Sequence, residues 1–462
     1  MESRLLDPSK LHEVPGVPTN GPRLRVLVVA EAANPQGTSV SLIGWQFAKA
    51  LSEVADVRLV TEKRNIGAIK AVPVQGLAVT DINNRFGQGL AYWVTRLLNG
   101  NKSLGWTTYT ALYALTYPLF ERKVWGMFKD EIRRGQFDVV HRITPNSPVT
   151  TSFLAGRCRE AGVPFIMGPI NGGVPWPKEY PHLAKAERDW LAPLRKLARL
   201  NPGYWSTRRA ASAILLGSRY AAQDLPACFH EKGMILSENA VDADAFTPEK
   251  RQEAKLPLRA VFVGRLVPLK GLDILIEAAA PLIEQGNLQL QIIGAGPEKE
   301  RLVKLASTLS VHVDFPGWVS QADLPAYLAK AHLFSFPSLR EFGGGVVLEA
   351  MASGAVPIVV NYGGPPELVP LGGGIVIPMG PKKVVVSGMR NAIEQLCSSL
   401  PTLQAMSRVA RQHVVANYTW KAKALQAVQL YNRVGCGAAA RSASGAKQKE
   451  QGVEEPALEG CM

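Results

Sequence analysis

The chain has 462 residues, 47% hydrophobic and 19% charged, a balance that supports two ordinary packed domains and excludes a disordered chain. With 52 Lys and Arg against 38 Asp and Glu, the net charge of +14 favours an anionic partner: a phosphorylated small molecule, an anionic lipid surface or nucleic acid. Five scattered cysteines show neither disulfide nor metal-site spacing and fit a reducing compartment.

Met1 to Pro22 is polar and carries no signal-peptide pattern. No apolar run reaches the ~18–20 residues of a membrane span, so a soluble or peripheral protein is expected. The first strand is Leu24 to Ala30, followed by a loop with Pro35 and Gly37 and an amphipathic stretch near Val40 to Leu51. Short β-branched runs recur at Val57–Thr61, Asp138–His141, Val163–Met167, Ala213–Leu216 and Met234–Leu236, with helical patterns between several of them. Apolar strands alternating with helices indicate a parallel sheet covered on both faces.

The rhythm then restarts. Strands are expected at Arg259–Val263, Leu288–Ile293, Val311–Phe315, Leu333–Phe336, Pro357–Val360 and Ile375–Ile377, separated by helices. The resulting division is a flexible segment over 1–22, a first α/β domain over 23–246 and a polar linker over 247–256. A second α/β domain covers 257–418, a helix over 419–434 returns to the first domain, and 435–462 is a disordered tail. Two basic, aromatic-rich stretches, Arg96–Arg134 and Lys185–Arg209, interrupt the first domain. They read as core-facing helices with a solvated basic side, reversible docking on an anionic membrane being the competing reading.

Ligands of open parallel sheets bind beyond the carboxyl ends of the strands. Three segments of the second domain lie there. Gly264-Arg265-Leu266-Val267-Pro268-Leu269-Lys270-Gly271 puts two cations between a strand and a helix N-terminus, which suits a diphosphate. Ile293-Gly294-Ala295-Gly296-Pro297 lets the backbone approach a phosphate or sugar, although it lacks a complete dinucleotide fingerprint. Pro337 to Met351 carries Glu341, then Phe342, Gly343, Gly344, Gly345 and Val346, with Glu349 inside the next helix. A carboxylate among Val347, Leu348, Ala350 and Met351 is costly to bury alone, so nucleotide hydroxyls or a salt bridge are its expected partners.

Seven residues separate Glu341 from Glu349, and together with Arg265 and Lys270 this pattern resembles the GT4-type family of retaining glycosyltransferases, the glycosyl transferases group 1. The resemblance runs from about Leu24 to Tyr431 and is strongest from Val261 to Leu368. It implies the GT-B fold, α/β with two Rossmann-like parallel-sheet domains facing across a cleft. It also implies that Glu341 contacts the donor sugar, Glu349 the ribose hydroxyls, and Arg265 with Lys270 the diphosphate. Gly37 matches the glycine loop near phosphate and acceptor, and His141 the histidine that faces the sugar from the first domain. Gly264, Gly294, Gly296, Trp318, Val319 and the Phe342–Val346 run complete the expected donor site, while Asn171, Gly172 and Gly173 are candidates for the acceptor side. Two departures are visible: Phe342-Gly343-Gly344-Gly345 replaces the usual Gly-Phe-Gly, and Asn239-Ala240-Val241-Asp242 replaces Asn-Gly-Val-Asp.

The expected activity is metal-independent transfer of a sugar from a nucleotide-sugar donor to a saccharide, lipid-linked or small-molecule hydroxyl. No cofactor is implied, and no Asp-x-Asp follows a strand as an obvious metal site. A nucleotide-sugar epimerase of the same architecture and a non-enzymatic nucleotide-sugar-binding protein are the alternatives. No nucleic-acid-binding signature is present. A cytoplasmic location, with peripheral attachment to the inner face of a membrane left open, completes the expectation. The side chains do not announce the donor base, the sugar or the acceptor.

Overall fold

The computed structural model describes residues 23–84, 106–172, 174–186, 199–248 and 254–449. The chain divides into two compact units, the first taking in residues up to 173, 187–238 and 423 onward, the second 174–186 and 239–422.

The first unit holds a seven-stranded sheet of β1 (Arg25–Ala30), β2 (Asp56–Glu62), β3 (Ala78–Ile82), β4 (Val139–Thr144), β5 (Phe165–Ile170), β6 (Ala213–Leu216) and β7 (Gly233–Ile235). Their order is β3-β2-β1-β4-β5-β6-β7, and every pairing is parallel. Every residue of β4, β5 and β6 is buried, as expected of strands covered on both faces. β3 has no counterpart among the expected strands. Its sequence Ala-Val-Thr-Asp-Ile is half polar, and only Ile82 is buried, because an edge strand packs on one side only.

The second unit holds β8 (Leu258–Val263), β9 (Leu288–Ile293), β10 (Val313–Gly317), β11 (Leu333–Phe336), β12 (Val356–Val360) and β13 (Ile375–Ile377) in the order β10-β9-β8-β11-β12-β13, again parallel. Its core joins these strands to the helices Leu272–Glu284, Gly345–Ala352 and Lys382–Ser398. Strand order reverses between β1 and β4 in the first sheet and between β8 and β11 in the second. In open parallel sheets, ligands bind beyond the carboxyl ends of the strands at such a switch point.

Two features depart from a simple split of the chain. Residues 174–186 lie in the first half of the sequence but pack with the second unit. Arg340 Nε donates to the Val174 carbonyl at 3.0 Å, Tyr362 Oη to the Pro175 carbonyl at 3.0 Å, and Tyr180 Oη to the Gly380 carbonyl at 3.0 Å. The last helix, Trp420–Lys449, continues beyond Val434, through an alanine-rich run that favours helix. The remainder of the expected tail, 450–462, the amino-terminal segment 1–22 and residues 249–253 of the expected linker lie outside the described residues. So do 96–105 and 187–198 of the two basic, aromatic stretches. Among the described residues, no helix is long and apolar enough to cross a membrane. Cys158 and Cys397 are free thiols, whereas Cys228 is disulfide-bonded, a pairing that scattered cysteines carry no spacing to announce.

Candidate active site

The switch point of the second sheet gathers the charged residues expected to do chemistry. After β8 the chain makes a short turn, Pro268–Lys270, and Gly271 takes the left-handed φ of +62° that opens the helix Leu272–Glu284. A β-carbon at Gly271 would collide with the Pro337 carbonyl oxygen, so a glycine is required for the loops after β8 and β11 to touch. The Leu339 amide donates to the Leu269 carbonyl at 2.9 Å and fastens them. That contact brings Lys270 Nζ into an ion pair with the Glu341 carboxylate. Only 14% of the lysine side chain and 20% of the glutamate side chain are exposed. Lys270 Nζ also lies 5.0 Å from the centre of the Phe336 ring at the end of β11. Arg265, by contrast, is exposed, and no ion pair or hydrogen bond of its guanidinium is present among the described residues.

The glycines after β9 are required by the packing of neighbouring loops. A β-carbon on Gly294 would strike the Gly264 carbonyl oxygen, and one on Gly296 would strike Leu266. Gly264 N donates to Ile293 O at 3.0 Å and Leu266 N to Ala295 O at 2.9 Å. Both glycines therefore let the loops after β8 and β9 lie side by side, which fixes the loop carrying Arg265. The tight contact is between two pieces of backbone.

Glu341 is held from behind. Gly364 N donates to the Glu341 carbonyl at 3.1 Å, and β-carbons at Gly363 and Gly364 would collide with the carbonyl oxygens of Glu341 and Phe342. Gly344 adopts φ +69° as the N-cap of the helix Gly345–Ala352, and a β-carbon at Gly345 would lie 3.0 Å from Asn239 Oδ1, a tight contact. Gly343 is buried and Val346 half-buried in the same turn. Arg340, unnoticed in the sequence, is buried beside Glu341, its guanidinium 4.4 Å from the Trp176 ring centre and 5.2 Å from that of Phe342.

Glu349 is half-buried, and Gln321 Nε2 donates to its Oε1 at 2.7 Å. Desolvation raises the carboxyl above its ordinary range, and the Gln321 hydrogen bond opposes that rise. Gln321 lies just beyond β10, next to Val319, half-buried, and Trp318, 74% exposed. Among the described residues, no group of three or more His, Cys, Asp or Glu could hold a metal ion.

In the first unit, Gly37 closes a tight turn before the helix Val40–Val54, its amide donating to the Asn34 carbonyl at 3.1 Å. His141 does not close its strand. β4 continues through the buried Arg142, Ile143 and Thr144, because Arg142 is enclosed rather than solvated. The His141 ring is wholly buried. Its Nε2 lies 2.9 Å from the Gly168 carbonyl, which can only accept, so Nε2 carries the hydrogen and Nδ1 accepts from Tyr431 Oη at 2.6 Å. Burial pulls the imidazole down to about 4. Both nitrogens are thus committed to β5 and the last helix, and the sugar-facing role implied by resemblance has no free ring atom to carry it.

Asn171 and Gly172 stand at the carboxyl end of β5, Gly172 with φ +125°, while Gly173 lies outside the described residues. Their neighbour Glu238, a buried carboxylate, escaped the sequence, where it is one acid in a polar stretch.

Residues 245–413 match the family of glycosyl transferases group 1. A GDP-mannose-dependent alpha-(1-6)-phosphatidylinositol monomannoside mannosyltransferase of Mycobacterium tuberculosis is 34% identical over 199 residues, 39% of this chain and 51% of that protein. The chain thus spans about half the length of the curated relatives it matches. Among solved structures, a glycosyltransferase from Rickettsia africae superposes with a TM-score of 0.59 at 13% identity, covering 89% of this chain and 98% of the other. Anabaena HepE in complex with UDP and glucose gives a TM-score of 0.54 at 17% identity, covering 88% and 99%. At these identities the likeness is one of fold, and the fold is GT-B.

Proposed function

We propose that this chain is a metal-independent glycosyltransferase that transfers a sugar, with retention, from a nucleoside-diphosphate sugar to a saccharide or lipid-linked hydroxyl. The observation that carries this reading is the charge arrangement at the second switch point: Arg265, which is exposed, and the largely buried Lys270 on one flanking loop, Glu341 on the other. Breaking the bond between the anomeric carbon and the diphosphate leaves negative charge on the phosphate oxygens. Arg265 and Lys270 stabilise that charge, a contribution of about 3 kcal/mol for one well-placed donor. Glu341 orients the donor sugar, and Glu349 accepts from the ribose hydroxyls. The acceptor hydroxyl forms its bond on the face the diphosphate leaves, and the departing phosphate takes its proton. The family match over 245–413 covers all four residues and supports these roles.

On the acceptor side, the loops after β4 and β5 are the natural wall by the same carboxyl-edge rule. A lipid-linked acceptor agrees with the phosphatidylinositol monomannoside that the mycobacterial relative mannosylates, and the net charge of +14 agrees with docking at an anionic membrane surface.

The test is a matrix of donors against acceptors. UDP-glucose, GDP-mannose and ADP-glucose are each incubated with octyl α-glycosides of mannose, glucose and galactose, alone or in vesicles containing phosphatidylinositol. Transfer with the donor's anomeric configuration is expected, lost about a hundredfold in Arg265→Ala. Conversion of a donor to another sugar nucleotide without an acceptor would instead identify an epimerase.

A further inference from the structure

The carboxyl edge of the first sheet, beyond β4 and β5, holds a polar cluster centred on the buried Glu238. Asn146, just after β4, donates through Nδ2 to Glu238 Oε2 at 3.0 Å, and Asn171, just after β5, donates through Nδ2 to Glu238 Oε1. The two loops also meet directly, the Asn171 amide donating to the Asn146 carbonyl at 2.8 Å. A carboxylate can only accept, so Glu238 forces both asparagine amides to turn their NH2 groups toward it. Asn171 Oδ1 is thereby left to accept from the Gly172 amide at 2.7 Å, where the backbone takes φ +125°. Asn146 Oδ1 is left buried without a hydrogen-bond partner. An orphaned acceptor of this kind is unfavourable, a cost the loop bears while its NH2 is committed to Glu238.

The charge of Glu238 is matched from the last helix. Lys423 is 1% exposed and donates through Nζ to the Ser237 carbonyl. Burial pulls its ammonium down to about 7, and the Glu238 charge pushes the other way. Glu238 and Lys423 are the terminal residues of two of the segments that compose the first unit. An apolar residue would hold such a junction without the cost of enclosing two charges. What a carboxylate adds is direction: two oxygens that orient two amides on two loops.

We propose that Glu238 is a positioning residue for acceptor binding, acting through Asn146 and Asn171 to fix the loops after β4 and β5. The inference rests on the proposed glycosyl transfer and extends it to a residue that touches neither donor nor acceptor. A glutamine at this position would turn its own NH2 against one of the two asparagine amides and release one loop. An aspartate keeps both oxygens and the charge.

The test uses the full chain as wild type, Glu238→Gln, Glu238→Asp and Asn171→Ala, each checked by thermal melting. Probes are UDP and GDP in calorimetry, and the best donor and octyl glycoside from the matrix above in steady-state kinetics. The expected result is a KM for the glycoside raised roughly tenfold in Glu238→Gln, equivalent to one lost orienting hydrogen bond. Nucleoside-diphosphate affinity should stay unchanged, and Glu238→Asp should recover most of the loss. Should Glu238→Gln fail to fold, Asn171→Ala releases the same loop from the other side and should raise the same KM. An unchanged glycoside KM, an equal loss in diphosphate affinity, or no recovery in Glu238→Asp would overturn the positioning role alone. No transfer by the wild type to any glycoside would overturn the proposed function, and this inference with it.

Discussion

The Lys270 ammonium is ion-paired with the Glu341 carboxylate, although 71 positions separate them in the chain. On the proposed reading, a bound diphosphate would share Lys270 with Glu341.

Competition of this kind sets the sign of a mutation. Glu341→Gln removes the competing charge, so UDP or GDP should bind as tightly as to the wild type, or up to about fivefold more tightly. Transfer should nevertheless fall at least about tenfold, because the sugar loses its orienting carboxylate. Lys270→Ala should weaken diphosphate binding about ten- to a hundredfold through loss of a charge-assisted bond. Calorimetric titration of folded variants checks both. A Glu341→Gln variant unable to bind diphosphate would reverse the assignment.

Glu349 should behave differently. Glu349→Gln is expected to weaken nucleoside-diphosphate affinity about tenfold, since a charged acceptor for ribose hydroxyls is lost. Desolvation already raises its carboxyl and Gln321 holds it down. Gln321→Ala should therefore push the carboxyl further up, and protonation removes the charged acceptor. Its cost in GDP or UDP affinity should be larger at pH 5.5 than at pH 7.5, a difference that calorimetry at the two values measures.

Gly294→Ala is expected to act on stability before chemistry. The residue has φ +144°, and an added β-carbon would strike the backbone oxygen of Gly264. With backbone on both sides and no side chain to move aside, the cost should be about 2–4 kcal/mol. Arg265→Ala, on an exposed side chain one position from that contact, should change stability by no more than about 0.5 kcal/mol. Urea unfolding followed by tryptophan fluorescence compares them.

His141 predicts a pH dependence. Its folded-state value is about 4 against an ordinary 6.5, so the unfolded chain binds more protons between those limits. The stability it contributes is complete above about pH 6.5 and is lost as pH falls toward 4. Between pH 7 and pH 5 the loss should be about 2 kcal/mol. His141→Phe leaves the Tyr431 hydroxyl and the Gly168 carbonyl unpaired, and should be less stable at pH 7 but flatter across that range. An equally steep profile in the variant would exclude His141 as the source.

The two-sheet plan was legible in the sequence because a buried parallel strand is a local object. Runs such as Leu288–Ile293 and Leu333–Phe336 are apolar whatever lies beside them, and the structure ends both strands at those residues. The spacing of Glu341 and Glu349 was legible for the same reason, since both belong to one strand–loop–helix segment. β3 was not, because an edge strand needs an apolar side chain only where it meets its single neighbour.

What only the tertiary structure decided is how charges and glycines are used, because both depend on a partner distant in the chain. Gly294 and Gly296 read as phosphate-loop glycines, yet the atoms that forbid a side chain there belong to Gly264 and Leu266. His141 reads as a ligand-facing histidine, yet Tyr431 and Gly168 take both of its nitrogens. Glu238 and Lys423 are buried, and no local pattern reveals it. A strand's burial is written in its own residues, whereas the fate of a carboxylate, an imidazole or a missing β-carbon is set by whatever folding brings within about 3 Å of it.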